Sequence, residues 1–196
     1  MPLSFTRRLA VFAVATVCSL SLVSTRTDAA DMLAKGDEAK DFQLEAVSGE
    51  LSGEVKLSEV KGSGPVVLVV LRGFPGYQCP ICSRQVGALV AKAADFKKQN
   101  AKVLMVYPGP ASNLKGRAEQ FLRNSKLPAP FTLLIDPNYE FTNAYGLRWN
   151  APRETAYPST FVLDEKGTVT FAKVSKTHGG RTRPDEVLKA VGAASN

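Results

Sequence analysis

The sequence is poor in the residues that build metal and haem sites. Among 196 residues there are one histidine and three cysteines. So small a ligand supply argues against a multi-ligand zinc or haem centre, and no metal or cofactor is expected. A chain of this length buries a core without covalent staples, so cysteine is not needed as scaffolding either. Long apolar runs are also lacking. The one candidate, residues 9–23, has 15 positions and contains Thr16, Ser19 and Ser21, short of the roughly 20 that a membrane-spanning helix needs. No repeat, low-complexity tract or interdomain linker is present, and no Gly-rich phosphate loop with a following Lys-Ser/Thr occurs. The apolar fraction of 44% excludes a disordered chain.

What is there begins with an export signal, expected over residues 1–30. Arg7 and Arg8 precede the apolar run, and Thr27, Asp28, Ala29 and Ala30 follow it. A basic start, about 7–15 apolar residues and small residues at the end make a secretory signal. The alternative is an uncleaved anchor that would leave the protein membrane-associated. Cleavage near Ala30 removes Cys18, three arginines and one aspartate. The domain at 31–196 then keeps 22 basic and 17 acidic side chains, net +5. These cations are scattered rather than interleaved with aromatics, so nucleic acid is not an expected partner. A periplasmic or extracellular protein is expected; its oligomeric state is left open.

The remainder reads as an α/β domain. Residues 40–57 alternate loosely, with Phe42 and Leu44, then Val55 and Leu57, around Ser-Gly turns. The unbroken Val/Leu run at 66–71 suits a central strand buried on both faces. A helix should start near Pro80 with Val86, Leu89, Val90 and Ala93 on one face. Strands are expected at 102–107, stopped by Pro108-Gly109-Pro110, and at 131–135. A helix is expected from Leu114 through Leu122 and a short one at 141–147. A hairpin at 159–173 turns on Asp164-Glu165-Lys166-Gly167, and a closing helix over 183–191 has Pro184 in its first turn. Strand and helix alternation followed by a hairpin and a helix describes a three-layer α/β/α architecture.

The chemistry concentrates in Gly73-Phe74-Pro75-Gly76-Tyr77-Gln78-Cys79-Pro80-Ile81-Cys82. A C-x-x-C where a buried strand hands over to a helix is a redox signature. The first turn of a helix presents unpartnered N–H groups and partial positive charge, and both favour a thiolate over a thiol. A zinc half-site would need two more ligands, and His178 in a Gly-rich stretch is a surface histidine. A static disulfide across so short a loop would constrain the unfolded chain little. Two buried core cysteines fit poorly among Pro, Gly, Tyr and Gln. Reversible thiol chemistry remains.

The segment Gly-Asp-Glu-Ala-Lys-Asp-Phe at 36–42, Val55-Lys56-Leu57-Ser58, the run at 66–71, and Thr160-Phe161-Val162-Leu163-Asp164 with Gly167 resemble the AhpC/TSA (alkyl hydroperoxide reductase and thiol-specific antioxidant) peroxiredoxin family. The likeness runs from about residue 35 to 192. It implies a thioredoxin-like fold with that family's N-terminal extension, and antioxidant reduction of hydroperoxides. The family motif is P-x-x-x-T/S-x-x-C. Here Pro75 stands at the proline and Cys82 at the attacking, peroxidatic position, with Gln85 where the family often has Glu or Gln. Cys79 replaces the Thr/Ser, and Pro158 stands where the family has an arginine ahead of the Thr160 strand. The resemblance therefore implies either a peroxidase, with Cys82 attacking and Cys79 resolving, or a thioredoxin-like protein dithiol–disulfide oxidoreductase, with Cys79 attacking and Cys82 resolving. A less favoured alternative is a binding domain with a permanent disulfide. In either redox reading an external, thioredoxin-like thiol reductant is the implied partner. Pro75, Tyr77, Gln85 and Pro158 are the candidate substrate-binding residues, and the thioredoxin likeness favours a cis peptide at Pro158. Arg72, Arg84 and Arg153 are the nominated stand-ins for the family arginine. Tyr145 and Trp149 are expected to serve packing.

Overall fold

The computed structural model describes Met1 and residues 32–195. The expected export signal and Cys18 lie outside the described residues. Among the described residues, no helix is long and apolar enough to cross a membrane.

One seven-stranded sheet carries the structure. Its strands are β1 (Gln43–Gly49), β2 (Gly53–Lys56), β3 (Val66–Val70), β4 (Lys102–Gly109), β5 (Phe131–Pro137), β6 (Ser159–Leu163) and β7 (Val169–Val174), in the order β2-β1-β5-β4-β3-β6-β7. The three central strands are parallel, β3 to β4 and β4 to β5, while β6 and β7 add antiparallel on one side and the β1–β2 hairpin on the other. The expectation for 66–71 holds: every residue of β3 is buried, as a strand covered on both faces requires.

Alternation along β3 divides the core in two. Val67, Val69 and Leu71 face a cluster with Val86 and Leu89 of α2 (Pro80–Val90), Phe96 of α3 (Ala93–Lys98), Ala118 and Phe121 of α4 (Leu114–Phe121), and Val187 and Val191 of α6 (Pro184–Ala194). Val66, Leu68 and Val70 face a second cluster with Leu57 of α1 (Leu57–Val60) and Phe141 of α5 (Glu140–Ala144), together with Tyr145. The result is the expected three-layer α/β/α arrangement. Tyr145 stacks on Phe141 at 4.1 Å between ring centroids, so its role is packing.

Two elements depart from expectation. The apolar face anticipated as one helix is shared by α2 and α3, because the helix breaks at Ala91 and Lys92. No glycine or proline marks that break, so the apolar pattern continues across it. The strand expected to stop at Pro108 runs on to Gly109, paired with Pro137. Pro108 has no N–H to give, but its carbonyl accepts from Phe74 N–H at 2.9 Å. That bond fastens the loop after β3 onto the end of β4.

Candidate active site

Gly73 makes the fastening possible. Its φ of +75° favours glycine, and a Cβ there would lie 1.9 Å from the Pro108 carbonyl oxygen. From this anchor the chain passes Pro75 and the exposed Tyr77 into α2. Gln78 pins the turn, donating to the Arg117 carbonyl at 2.8 Å and accepting from Tyr107 Oη at 2.8 Å. Burial pushes the Tyr107 phenol pKa well up, so it stays a protonated donor.

Cys79 is the N-cap of α2, and Pro80 occupies the first helical position, where a missing N–H costs nothing. Cys79 Sγ accepts the backbone N–H of Cys82 at 3.3 Å. A sulfur in the capping position receives the orphan donors of the helix start. Cys82, one turn on, is 0% exposed and Cys79 only 3%. The two thiols are not bonded to each other.

The pair divides one charge. The Cys82 thiol donates to Cys79; with the Cys82 N–H and the cations Arg181 and Arg72, it outweighs burial and lowers the Cys79 pKa to about 5. Cys82 is pushed strongly the other way, by donating that hydrogen bond and by burial. The cap and the difference in burial favour the negative charge on Cys79 and the proton on Cys82. The family register names Cys82 as the attacking position. The helix cap and the deeper burial of Cys82 favour the charge on Cys79, the attacking cysteine of the exchange register.

The nominated cations are placed elsewhere. Arg72 is buried and committed to Glu154, through Nε to Oε2 at 2.6 Å and Nη2 to Oε1 at 3.1 Å; it also donates to the Arg153 carbonyl at 2.6 Å and to Tyr77 Oη at 2.7 Å. Its charge reaches Cys79 only through space. Arg84 lines a groove of about 490 Å³ with Gln78, Pro80, Ser83, Phe121 and Arg123, and among the described residues no contact joins it to either sulfur. Arg153 is exposed and contributes its carbonyl. The guanidinium that touches both sulfurs is Arg181, with Nη1 3.4 Å from Cys82 Sγ and Nη2 3.9 Å from Cys79 Sγ. Nothing in the spacing of the sequence singled it out, because it lies 99 residues beyond Cys82 on a connection without periodicity.

Of the other candidates, Gln85 is part of the site, accepting from Arg181 Nη1 at 2.9 Å. Tyr77 is 45% exposed next to the motif. The cis expectation at Pro158 is corrected: among the described residues the one cis peptide is Ala129–Pro130. Tyr157 N–H is taken by the Leu147 carbonyl and the Pro158 carbonyl by Ser175 N–H, at 2.9 and 2.8 Å. The backbone around a buried, trans Pro158 is thus engaged within the fold. His178 is exposed but not idle, with Nε2 2.8 Å from Glu154 Oε1. Trp149 stacks on Tyr157 at 5.0 Å and meets the His178 ring at 5.3 Å. No cluster able to hold a metal ion occurs among the described residues.

Comparison with known proteins places this geometry in a family. The AhpC/TSA family model matches residues 35–172. Peroxiredoxin-2 of Bos taurus is 30% identical over 159 residues, covering 81% of this chain and 77% of that protein. The chloroplastic peroxiredoxin Q of Triticum aestivum is 29% identical over 139 residues, covering 71% of this chain; the chain spans 58% of that protein's length. Among solved structures, Mycobacterium tuberculosis AhpC superposes with a TM-score of 0.66 at 19% identity, covering 85% of this chain and all of that one, a likeness of fold. A putative thiol:disulfide interchange protein DsbE from Chlorobium tepidum gives 0.61 at 26% identity, covering 84% and 99%. A thioredoxin-like sheet that delivers two cysteines to one helix start, together with these relatives, identifies the chain as a thiol oxidoreductase that belongs to the AhpC/TSA family.

Proposed function

We propose that the protein is an exported peroxidase that reduces hydroperoxides with Cys79 as nucleophile and Cys82 as resolving thiol. The observation that carries this reading is the capped sulfur: Cys79 Sγ accepts the Cys82 N–H at the start of α2 while the buried Cys82 thiol waits beside it. The Cys79 thiolate attacks one oxygen of the hydroperoxide. An S–O bond forms and the O–O bond breaks, and the departing alkoxide takes a proton from water to leave as an alcohol. Cys79 is then a sulfenic acid. Cys82 loses its proton as its sulfur attacks Cys79; the S–S bond forms, the S–O bond breaks, and hydroxide leaves with that proton as water. Two electrons have passed from the dithiol to the peroxide. An external dithiol of the thioredoxin type reopens the disulfide by exchange. Tyr77 and Pro75, on the loop that leads into Cys79, are the candidate substrate contacts, and export follows from the signal expected over residues 1–30.

Thiol–disulfide exchange with protein substrates is the second reading. It is favoured by a nucleophile at the first cysteine of a C-x-x-C and by the likeness to the Chlorobium tepidum protein. Rapid mixing of the reduced protein with hydrogen peroxide separates the two. The peroxidase reading expects thiol loss far faster than for free cysteine, ending in the Cys79–Cys82 disulfide. It also expects Cys82→Ser to stop at a sulfenic acid on Cys79, and Cys79→Ser to lose the fast phase. Thiol loss at the free-cysteine rate, with rapid reduction of a protein disulfide, overturns it in favour of exchange.

A further inference from the structure

The motif leaves one electrostatic requirement unmet. Negative charge rests on Cys79 before attack and gathers on Cys82 when the disulfide closes, yet Pro158 occupies the position of the family's arginine. The structure brings a cation to both sulfurs from a different element. All three nitrogens of the Arg181 guanidinium are engaged: Nη1 with Cys82 Sγ at 3.4 Å and Gln85 Oε1 at 2.9 Å, Nη2 with Cys79 Sγ at 3.9 Å, and Nε with the His178 carbonyl at 3.0 Å. A solvated arginine has no reason to bridge two sulfurs and a glutamine.

The connection that carries it, residues 175–183, is tied down along its length. Ser175 N–H donates to the Pro158 carbonyl at 2.8 Å, and the Thr182 and Thr160 hydroxyls meet at 2.8 Å. Thr182 also accepts from Gln85 Nε2 at 3.5 Å. At its middle, the His178 ring is held by Glu154 at 2.8 Å and lies against Trp149. Glu154 is in turn fixed by Arg72. His178 therefore supplies both the clasp that closes the connection and the carbonyl that orients the guanidinium.

We propose that Arg181 is a catalytic residue of the redox pair, a cation supplied by the connection between β7 and α6 that replaces the charge lacking at position 158 and serves whichever sulfur is negative, with His178 as its positioning residue. Arg181 lies outside residues 35–172, the part of the chain that matches the family. A guanidinium is a donor without an acceptor site and transfers no proton in proteins; its contribution is to lower the energy of a sulfur-borne charge in a water-poor site. The titratable and charged groups around that charge are the Cys82 thiol, Arg181 and Arg72, which favour it, and the protonated Tyr107, whose own ionisation it opposes; Glu154 and His178 stand behind the two arginines. The role in peroxide turnover rests on the peroxidase reading, whereas the hold on the Cys79 thiolate does not.

The test uses thiolate absorbance against pH and the rate of iodoacetamide alkylation, neither of which needs a peroxide. Arg181→Met is expected to raise the Cys79 midpoint by about 1–2 pH units, the lower part of the roughly 1–3 that a neighbouring opposite charge supplies, and to slow alkylation at pH 6 several-fold. Arg181→Lys, with a compact charge that cannot span both sulfurs, falls between. His178→Ala raises the midpoint by less, and adds nothing in the Arg181→Met background. If Arg181→Met does not fold by circular dichroism, Arg181→Gln is read in its place. An unchanged midpoint and rate in the folded variant overturn the proposal, and an equal His178→Ala effect in both backgrounds overturns the positioning role. If the wild type fails to consume peroxide while Arg181→Met still raises the midpoint, the peroxidase reading falls and the role of Arg181 stands. If the wild type consumes peroxide and Arg181→Met titrates and alkylates as the wild type does, the role of Arg181 falls and the peroxidase reading stands.

Discussion

Replacing Glu154 by alanine should cost this protein a large share of its stability. The Arg72 and Glu154 side chains are 4% and 10% exposed, and two charge-assisted hydrogen bonds of 2.6 and 3.1 Å join them. Alanine leaves the guanidinium buried with its Arg153 carbonyl and Tyr77 hydroxyl contacts alone. Each bond to a charged group contributes about 1.5–3 kcal/mol, and breaking a buried pair on one side costs about 3–5 kcal/mol. Domains have roughly 5–15 kcal/mol in all. With a urea dependence of about 2 kcal/mol per molar, the unfolding midpoint should drop by about 2 M. Glu154→Gln, which keeps one acceptor, should lose about half as much. Acid supplies the sign. Burial works to raise the Glu154 pKa, but the bonds from Arg72 and His178 prevail and hold it below the ordinary glutamate value. A group held low in the folded state stabilises fully above its unfolded pKa of about 4.3 and loses that contribution as pH falls through its folded value. The gap between wild type and Glu154→Gln should thus be constant at neutral pH and narrow below about pH 4. A loss under about 1 kcal/mol for the alanine variant, the size of a surface pair, would refute the reasoning, as would a gap indifferent to acid.

Other perturbations separate the scaffold from the chemistry. Gly73→Ala puts a methyl 1.9 Å from the Pro108 carbonyl at a φ of +75°, so it should destabilise by about 1–3 kcal/mol and slow Cys79 alkylation; an alkylation rate like the wild type's would show that the loop does not need this anchor. Asp136 is fully buried and accepts from the Phe141 and Thr142 N–H groups at 2.9 and 3.0 Å and from the Thr142 hydroxyl. Asp136→Ala should cost at least about 1–3 kcal/mol in urea unfolding, because three buried donors lose their acceptor, while Cys79 alkylation stays as it was. A variant as stable as the wild type would mean that those N–H groups find water.

The parts of the site that were legible in the sequence are those written in local order. The Val/Leu run at 66–71 suits a strand covered on both sides, and a C-x-x-C with proline after its first cysteine marks a helix start that stabilises a thiolate. What stayed hidden depends on where distant segments fold. Arg181 reaches the sulfurs because the β6–β7 hairpin and its bonds to Pro158 and Thr160 bring residues 175–183 across α2. No spacing rule encodes that approach. Arg72 adjoins the motif in sequence, and proximity made it a natural nominee, but its donors are spent on Glu154, Arg153 and Tyr77. The trans geometry at Pro158 and the break between α2 and α3 were hidden for a similar reason: neither a peptide isomer nor a break without glycine or proline leaves a mark in composition or periodicity. Which of the two cysteines attacks was left open by the sequence, Cys82 in the peroxidase register and Cys79 in the exchange register, and the bond from the Cys82 N–H to Cys79 Sγ favours the charge on Cys79.

The most direct measurement is the pH dependence of alkylation in the reduced wild-type protein, with the modified cysteine identified by peptide mass spectrometry. Modification should fall on Cys79, with a rate that rises through a midpoint of about 5 and is flat at neutral pH. First modification of Cys82, or a midpoint near the roughly 8.5 of an ordinary cysteine, would contradict a thiolate held at the start of α2.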